Sequence, residues 1–489
     1  MFCCYIDFQK AFDCVDRDLL LIKLLDMGID DKFYWALKNS LTDTSACVRL
    51  NGYLTDYFST LSGVRQGDVL SPNLFSIYIN DLLVELRAHK KESEIILTNV
   101  LAYADDIVLI AEDEQELQRL INIVKDWCTK WKMHINISKT KIVHYRKIRR
   151  SRSVFHFKWG DHEIEITNGY RYLGIFLDEF LNFKTHTANI INAAGRALGK
   201  ILSKFAYFKN VGYTTFTKLF ENYVEPIIMY GISILGTKKF YFEKIQQRAI
   251  RYFLGLHPRC PIPALFGEMG WVPIRFKRLI SMCRTWNRHI FMDENRINKQ
   301  VFVNSLHRLQ NNWCSEFRNI CEDLNFVDSF ENLSDINVNT FKMNVHEFAE
   351  SQWRLNVESK PKLRNYKLYK TELSPEPYVT KNLNRYKRSI FAQLRCGILP
   401  LNVEIGRFRG VEFENRLCNL CNLNEVETET HFLLECPAFN RNPLYQSCNF
   451  NAHDNTNEDT INNLMLNNQL DLVNFTANIW NERTSKLYN

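Results

Sequence analysis

Two adjacent aspartates, Asp105 and Asp106, interrupt an apolar stretch of the sequence. Apolar runs at residues 95–97 and 107–110 flank them and predict two buried strands joined as a hairpin, with the carboxylates at its tip. Carboxylates near a core are destabilising unless a cation compensates their charge. A hard divalent metal, which prefers oxygen ligands, would do so. From this stretch alone, an ordinary turn is the alternative, because aspartate is common in turns.

A third aspartate, Asp7, stands near the end of an apolar run over residues 2–8, which predicts another buried strand. Together with Asp105 and Asp106, it would give three carboxylates at strand ends. Such carboxylates can hold two divalent ions roughly 3.5–4 Å apart, which is the arrangement that nucleotidyl transfer needs. The ions would lower the pKa of an attacking 3′-hydroxyl and neutralise the leaving pyrophosphate.

The elements that position these strands have their own sequence signals. Asp16 is a candidate N-cap for a helix over residues 17–27, and Asn51-Gly52 predicts a tight hairpin. Ser71 is a candidate cap for the helix that follows a glycine-containing loop. Further helices are predicted at residues 31–41 and after Asp113, and further strands at 154–157, 163–166 and 170–178. This order predicts an α+β domain, an antiparallel sheet with helices on one face.

Near the C-terminus, Cys418, Cys421, His431 and Cys436 form the pattern C-x2-C-x9-H-x4-C. These residues supply the ligand number and types of a closed, structural Zn²⁺ site. A core histidine is the alternative for His431. Residues 381–409, just before this pattern, contain seven Lys or Arg and a single acid. We expect this basic stretch to contact nucleic-acid phosphates.

The composition bounds the remaining possibilities. A chain of 489 residues predicts several domains, and its net charge of +7 is too small to indicate a polyanionic partner by itself. The 14 cysteines, irregularly spaced except near the C-terminus, predict a reducing, intracellular compartment, nucleus or cytoplasm. The apolar runs are too short for a membrane span, so no membrane association is expected.

Five short segments follow one another along the chain: YIDFQKAFD at 5–13, SGVRQGDVLSP at 62–72, YADD at 103–106, NISKTK at 136–141 and YLG at 172–174. They resemble the palm motifs of reverse transcriptases, in the order of that family. The RQG form of the second motif, the ADD form of the third and the C-terminal cysteine cluster resemble the non-LTR (LINE-type) retrotransposon enzymes. Group II intron-type reverse transcriptases share the palm pattern and are the alternative.

The resemblance implies a role for each of these residues. Asp7 and Asp105 would be the main ligands of two Mg²⁺ (or Mn²⁺) ions, and Asp106 a secondary ligand. Phe12 would lie under the sugar of the incoming nucleotide and exclude a 2′-hydroxyl; simple core packing is the alternative. Lys139 would orient or protonate the pyrophosphate, unless it is merely solvated. The template contacts would be Arg65, Gln66 and Gly67, and the primer grip Tyr172, Leu173 and Gly174.

The function expected from the resemblance is RNA-directed DNA polymerase: a DNA primer is extended from dNTPs on an RNA template, the RNA of the element. A catalytically inactive or co-opted nucleic-acid-binding remnant is the alternative. Only six residues precede Asp7. We therefore expect that the N-terminus is truncated, that the fingers of the family are missing, and that this chain alone has weak or no polymerase activity.

The expected fold is a right-hand polymerase palm followed by a helical thumb and a mostly α C-terminal region with a small zinc knuckle. The expected divisions are the palm at 1–150, the palm end with the primer-grip hairpin at 151–180, the thumb at 181–297, a helical connector at 298–380, the basic region with the Cys-Cys-His-Cys zinc module at 381–445 and a polar, partly disordered tail at 446–489. The sequence indicates no oligomeric state.

Overall fold

The computed structural model describes residues 1–90, 98–205, 207–208, 211–235, 241–308, 312–448 and 457–488. The chain forms two compact units, Met1–His186 and Thr187–Asn489. Among the described helices, none has the length and apolar character that crossing a membrane requires. The predicted strand at residues 95–97 lies outside the described residues.

The first unit combines a central sheet with helices, which agrees with the predicted α+β class. Its described strands are β1 (Phe2–Ile6), β2 (Ser45–Ala46), β3 (Arg49–Leu50), β4 (Tyr53–Leu54), β5 (Phe58–Ser59), β6 (Val100–Tyr103), β7 (Asp106–Ala111), β8 (Lys141–His144), β9 (Phe157–Trp159), β10 (His162–Ile164), β11 (Ile166–Thr167), β12 (Gly169–Tyr172) and β13 (Ile175–Asp178). Its helices are α1 (Arg17–Asp26), α2 (Asp31–Leu41), α3 (Ser71–Ala88) and α4 (Glu114–Lys130).

The central sheet has the strand order β11-β8-β1-β7-β6. Its middle strand β1 is antiparallel to both neighbours, and Ile6 pairs with Ile107 of β7. The prediction of an antiparallel sheet is wrong at one edge, where β11 runs parallel to β8 and Ile166 pairs with Ile142. A parallel neighbour needs a crossover connection, and the chain between β8 and β11, which includes the β9–β10 hairpin, provides it.

The two faces of β1 belong to two different apolar clusters. Because side chains alternate along a strand, Phe2, Cys4 and Ile6 point to one face and Cys3 and Tyr5 to the other. The first three join the main core, which contains the buried faces of α1, α3 and α4. The other two join a smaller cluster that includes the tyrosines of β12. Helices therefore cover one face of β1, and the β12–β13 hairpin packs on the other.

Several local predictions are confirmed. The Asp16 carboxylate accepts the Leu19 N–H at 3.1 Å and caps α1. Asn51 and Gly52 have φ values of 49° and 88° in the turn between β3 and β4. The cap predicted at Ser71 is wrong, because Ser71 is the first helical residue of α3. Its hydroxyl instead donates to the Arg65 carbonyl at 2.5 Å, so it fastens the preceding loop to the helix.

The single strand predicted at 170–178 is also wrong. The structure divides this segment into β12 and β13, which pair with each other as an antiparallel hairpin. Leu173 and Gly174 form the turn, with φ values of 46° and 81°. Gly174 adopts this positive φ without steric cost, so the chain can reverse direction here. Apolar residues on both sides of the turn made the segment look like one continuous strand.

A buried lysine stands in the helical layer of the first unit. Lys23 lies over the rings of Trp131, Tyr78 and Trp127 at 3.6, 4.8 and 5.1 Å from their centroids. Its ammonium donates to Asp81 Oδ1 at 2.6 Å. Burial, opposed by this carboxylate, lowers the pKa of Lys23 to about 8.

The second unit is helical in the part of it that the structure describes. Its helices are α5 (Lys184–Phe205), which begins at the end of the first unit, α6 (Tyr213–Tyr223), α7 (Glu225–Met229), α8 (Glu243–Leu254), α9 (Ile262–Met269), α10 (Ile274–Ile290), α11 (Ile297–Arg308), α12 (Trp313–Asp323), α13 (Val327–Glu331), α14 (Val338–Glu358), α15 (Tyr366–Tyr369), α16 (Pro377–Thr380), α17 (Arg385–Arg395), α18 (Asn402–Phe408), α19 (Asn442–Cys448), α20 (Asn457–Asn467) and α21 (Gln469–Tyr488). Short 3-10 turns lie at Pro361–Leu363 and Phe413–Asn415, and a single π-helical turn at His431–Glu435.

A buried ionic cluster ties distant parts of the second unit together. Arg395 Nε lies 3.0 Å from Glu268 Oε2, and Arg395 Nη2 lies 2.7 Å from Glu376 Oε2, with all three side chains buried. Lys370 reaches Glu376 at 2.6 Å, so two cations balance two anions. Gln469, at the start of α21, also donates to Glu376, at 2.5 Å. The cluster joins segments predicted as thumb, connector, basic region and tail, and that division stays a prediction.

Residues 457–488 of the predicted tail form α20 and α21 and contribute buried apolar side chains. Arg483 of α21 makes two 2.7 Å ion-pair contacts with the buried Glu427. Trp480 of the same helix packs edge-on against Phe432 at 6.1 Å. Tertiary contacts of this kind order a segment whose polar composition favours disorder.

Candidate active site and cysteine cluster

Strand pairing brings the first and third carboxylates together. Ile6 pairs with Ile107, so continuing the register by one residue places Asp7 opposite Asp106. Both side chains share the face of Tyr5 and Val108, because side chains alternate along each strand. Asp105 lies in the two-residue turn between β6 and β7, beside Ala104 with its φ of 53°. The predicted meeting of three aspartates at strand ends is therefore what the structure has.

The electrostatics of the site reflect this crowding. Burial, and then the carboxylates of Asp105 and Asp7, raise the pKa of Asp106 above its ordinary value. Lys139 Nζ lies 3.7 Å from Asp7 Oδ2, but two thirds of the Lys139 side chain is exposed. A solvated lysine screens little, so the three carboxylates form a centre of negative charge. Oxygen donors with this charge suit a hard divalent cation.

A turn over residues 136–140 fixes the backbone of Asp7. The Asn136 N–H donates to the Asp7 carbonyl at 2.7 Å, and the Asp7 N–H donates to Thr140 Oγ1 at 3.2 Å. The turn is closed by the Thr140 N–H, which donates to the Asn136 carbonyl at 2.8 Å. Thr140 is fully buried. The NISKTK motif at 136–141 therefore fixes the backbone that carries the Asp7 carboxylate. Thr140 has a part in this, although the sequence analysis assigned a role only to Lys139.

The β12–β13 hairpin borders the carboxylates with tyrosines. Tyr170 stacks on Tyr5 of β1 with 4.4 Å between ring centroids, and the hydroxyls of Tyr5 and Tyr145 lie 2.6 Å apart. Burial and the nearby Asp106 raise the pKa of Tyr172 to about 12. The site therefore includes Tyr170, which sequence analysis missed. Its position two residues before Tyr172, on the same strand face, was the available signal.

The remaining predicted positions lie on the loop before α3 and on the turn after β1. Arg65, Gln66 and Gly67 are exposed, and Gln66 Nε2 donates to Asp13 Oδ1 at 3.2 Å. Phe12 is half-buried and stacks on Phe75 of α3 at 4.6 Å. The stacking on Phe75 is the contact that the core-packing alternative for Phe12 requires. It also fixes the Phe12 ring beside the loop before α3. The role of Phe12 at the nucleotide sugar stays a prediction.

Comparison with known proteins gives this arrangement a family. Residues 2–177 match the model described as "Reverse transcriptase (RNA-dependent DNA polymerase)". Residues 2–177 are a reverse transcriptase domain. The segment contains all five motifs and ends within β13, so the match covers the carboxylates, the loop before α3 and the tyrosine hairpin.

The related proteins are non-LTR, LINE-type retrotransposon proteins, which confirms the predicted type of reverse transcriptase. The chain is 25% identical over 249 residues to the RNA-directed DNA polymerase from mobile element jockey of Drosophila melanogaster, a match covering 50% of this chain and 27% of that protein. It is 28% identical over 261 residues to the probable RNA-directed DNA polymerase from transposon BS of the same organism, covering 50% and 28%. The chain thus spans under a third of the length of these relatives.

Two further likenesses are weaker. The Pol polyprotein from the type-2 element R2DM of Drosophila melanogaster is 32% identical over 145 residues, covering 28% of this chain and 13% of that protein. A solved telomerase structure from Candida albicans, in complex with a fragment of telomeric RNA, has 12% identity and a TM-score of 0.31, covering 75% of this chain and 48% of that one. A structural likeness at that level supports no conclusion.

Beyond the reverse transcriptase domain, the predicted zinc ligands come together in the second unit. One ligand atom from each of Cys418, Cys421, His431 and Cys436 lies within 4.8 Å of the other three. The Cys418 and Cys436 sulfurs are 3.8 Å apart, and Cys421 Sγ lies 3.4 Å from His431 Nε2. Tetrahedral zinc, with bonds of about 2.3 Å to sulfur and 2.0–2.1 Å to nitrogen, requires about 3.8 Å and 3.6 Å for these edges. The donor set therefore fits zinc.

Local backbone and burial support the cluster. The Leu420 N–H points to Cys418 Sγ at 3.5 Å, a contact that favours a thiolate. Burial is the largest cause that raises the pKa of the Cys418 thiol to about 12, so a bound cation would have to displace its proton. The second nitrogen of His431, Nδ1, is buried and faces Glu425 and Glu435 at 3.4 and 3.5 Å. Carboxylates commonly orient a metal-binding histidine in this way.

The basic stretch before the cluster is only partly available to a polyanion. Arg388 and Arg395 are buried, which contradicts the expectation that the whole stretch contacts phosphates. Arg388 Nε donates to the Phe253 carbonyl at 3.1 Å, and Arg395 belongs to the buried ionic cluster. The exposed cations of the stretch are Lys381, Arg385, Arg407 and Arg409.

Proposed function

We propose that this chain is an RNA-directed DNA polymerase that extends a DNA primer with dNTPs on an RNA template. One observation carries the proposal. The pairing of β1 with β7 brings Asp7 and Asp106 to one face of the sheet, with Asp105 beside them, from positions almost 100 residues apart. Carboxylates from neighbouring strands of a rigid sheet are the ligands that two-metal nucleotidyl transfer uses.

Asp7 and Asp105 would be the main metal ligands and Asp106 a secondary one. The raised pKa of Asp106 supports a divalent ion here, because burial first, and then the carboxylates of Asp105 and Asp7, disfavour its charged form, and a bound cation would favour that form. Two bound Mg²⁺ or Mn²⁺ ions would activate the primer 3′-hydroxyl and neutralise the departing pyrophosphate. Lys139 carries the cation closest to Asp7 among the described ion pairs, so it is our candidate for holding the pyrophosphate.

The surrounding residues would hold the other substrates. Phe12 would contact the sugar of the incoming nucleotide, with Phe75 preventing its ring from moving aside. The exposed Arg65, Gln66 and Gly67 would line the template and the nascent base pair. We assign the primer grip to Tyr172, Leu173 and Gly174, held against β1 by the ring contacts of Tyr170 and Tyr172 with Tyr5.

In the second unit, we propose that the cysteine cluster holds one structural Zn²⁺ and that the exposed cations near it bind the RNA of the element. The match of the sulfur and nitrogen separations to a zinc tetrahedron supports the first part. The exposed Arg407 and Arg409 support the second. Residues 181–297 remain our candidate for the thumb and 298–380 for a connector.

A single-nucleotide incorporation assay tests the polymerase proposal. The full chain, in excess over a DNA primer annealed to an RNA template, is given Mg²⁺ and the matching dNTP. We expect the incorporation, at whatever level the unaltered chain reaches, to fall at least about 100-fold in Asp105→Asn, because the loss of several kcal/mol of charge stabilisation corresponds to such a factor. Asp126→Asn is the matched control, since this carboxylate is 77% exposed on α4.

The assay separates the proposal from its alternative. Incorporation that needs Asp105 and tolerates Asp126→Asn supports the polymerase. A chain that binds primer–template but incorporates no nucleotide would instead be a nucleic-acid-binding protein without catalysis. Incorporation that persists in Asp105→Asn would show that the reaction does not depend on this site.

A further inference from the structure

Arg17, the first residue of α1, makes an unusual set of hydrogen bonds. The nitrogens of its guanidinium lie within hydrogen-bond distance of six acceptors in three segments of the chain: the carbonyls of Thr60 at 2.7 Å, Leu41 at 2.8 Å, Gly63 at 2.9 Å and Ser62 at 3.1 Å, and the hydroxyls of Thr44 at 2.8 Å and Thr60 at 3.5 Å. One side chain therefore joins the end of α2, the β2–β5 hairpin and the loop before α3.

All six acceptors are uncharged, so this is not an ion pair. Leu41 is the last residue of α2, and its carbonyl belongs to the negative end of the helix dipole. The planar guanidinium offers five N–H donors in a fixed fork, whereas a lysine ammonium has three and no fork. The chemistry of the site thus demands arginine for its shape and donor number as well as for its charge.

The loop that Arg17 holds is also fastened to the turn after β1. The Gly63 N–H donates to the Val15 carbonyl at 2.8 Å, and the Val64 N–H donates to the Phe12 carbonyl at 2.9 Å. The Ser62 hydroxyl donates to the Asp13 carbonyl at 3.0 Å. A side chain at Gly63 would come within 2.8 Å of the Asp13 backbone, so the two segments are in close contact.

This geometry links two groups of predicted substrate contacts. Phe12 lies on the turn, and Arg65, Gln66 and Gly67 directly follow the fastened part of the loop. The Arg17 guanidinium donates hydrogen bonds to carbonyls of the loop, and the carbonyls of the turn accept hydrogen bonds from the loop amides. A shift of the loop would therefore change the spacing between the residues proposed for the template base and the residue proposed for the nucleotide sugar.

We propose that Arg17 is a positioning residue for nucleotide binding, which fixes the loop carrying Arg65, Gln66 and Gly67 against Phe12. The proposal rests on the proposed polymerase function for its kinetic consequence but not for its structural one. Arg17 contacts no substrate in this scheme and acts through the loop. Its loss should weaken the binding of the incoming dNTP more than it slows the chemical step.

Amide hydrogen exchange, measured by mass spectrometry, tests the structural part in the full chain. In Arg17→Lys we expect the amides of Gly63 and Val64 to exchange about tenfold faster, as the loss of a hydrogen-bond network would cause. Amides of β1 and β7 should keep their protection. The control Arg152→Lys alters another arginine of the same unit, one that pairs with Glu179, and should leave the loop unchanged.

Titration of the dNTP in the single-nucleotide incorporation assay tests the kinetic part. Arg17→Lys should raise the KM for dNTP about fivefold while kcat stays within about twofold, and Arg17→Gln should have a larger effect in the same direction. Arg152→Lys should resemble the unaltered chain. If the unaltered chain incorporates nothing, the proposed function fails, and the exchange experiment still decides whether Arg17 holds the loop.

Three results would overturn the proposal. Loop amides that exchange at the same rate in Arg17→Lys would show that the loop does not need the guanidinium. Exchange that rises equally in β1 and β7 would make Arg17 a general stability residue. A loosened loop with an unchanged KM would separate the loop from nucleotide binding.

Discussion

The close approach of the loop before α3 to the turn after β1 gives a quantitative prediction for Gly63→Ala. Gly63 has a φ of +85°, so an alanine there costs about 1 kcal/mol in backbone strain. Its Cβ would lie 2.8 Å from the Asp13 backbone, which forces the segments apart. Breaking the two backbone hydrogen bonds of Gly63 and Val64 adds about 1 kcal/mol each. We expect a total of about 3 kcal/mol.

Gly28→Ala is the matched control because it isolates the strain. Gly28 has a φ of +79°, and a Cβ there meets no atom within 4 Å, so we expect a loss of only about 1 kcal/mol. With a urea m-value of about 2 kcal/mol per M, the midpoints should fall by about 1.5 M for Gly63→Ala and 0.5 M for Gly28→Ala. Hydrogen exchange of the β1 and β7 amides in urea reports the first unit alone. Equal midpoints in the two variants would refute the reasoning from close contact.

Three further predictions concern charge and metal. Arg395→Met should lower the free energy of unfolding of the second unit by about 3–5 kcal/mol in urea, because it leaves two buried carboxylates without their main partner. Arg354→Met, which removes an exposed ion pair with Glu350, should lower it by under about 1 kcal/mol, and similar losses in the two variants would contradict this. Lys23 has a pKa of about 8 when folded against an ordinary 10.5, so the unfolded chain binds more protons in that window. The unaltered chain should therefore gain stability over Lys23→Met as the pH rises from 8 to 10, and parallel pH profiles would disprove this. Metal analysis should find one zinc per chain, lost in Cys421→Ser but kept in Cys448→Ser, which lies outside the cluster; retention of zinc in both would reject the ligand set.

The sequence predicts the carboxylates well because each of them ends or begins an apolar strand. Asp7 follows β1, as the apolar run before it indicates, and Asp105 and Asp106 lie at the β6–β7 turn, although β6 is at Val100–Tyr103 and the strand predicted before the turn was at residues 95–97. That β1 pairs with β7 is a contact between residues some 100 positions apart. Periodicity alone does not give such a pairing.

Basic residues show where reading from the sequence fails. Arg388 and Arg395 look like part of a solvated, phosphate-binding stretch, since their neighbours in sequence are also basic. The partner of Arg395 that buries it, Glu268, is 127 residues away. Arg17 was missed for a related reason, because backbone carbonyls are present at every residue and leave no mark in the sequence. In the predicted tail as well, the asparagine-rich composition does not reveal the apolar side chains that α21 buries.

The most direct test of the central claim, that Asp7, Asp105 and Asp106 form one divalent-metal site, is a Mn²⁺ titration followed by electron paramagnetic resonance. The full chain is used with its cysteine cluster saturated with Zn²⁺. We expect bound Mn²⁺ whose affinity falls about tenfold or more in Asp7→Asn and in Asp105→Asn, because each removes a charged oxygen ligand. Asp126→Asn should bind as the unaltered chain does. Equal Mn²⁺ affinity in all four proteins would contradict the site.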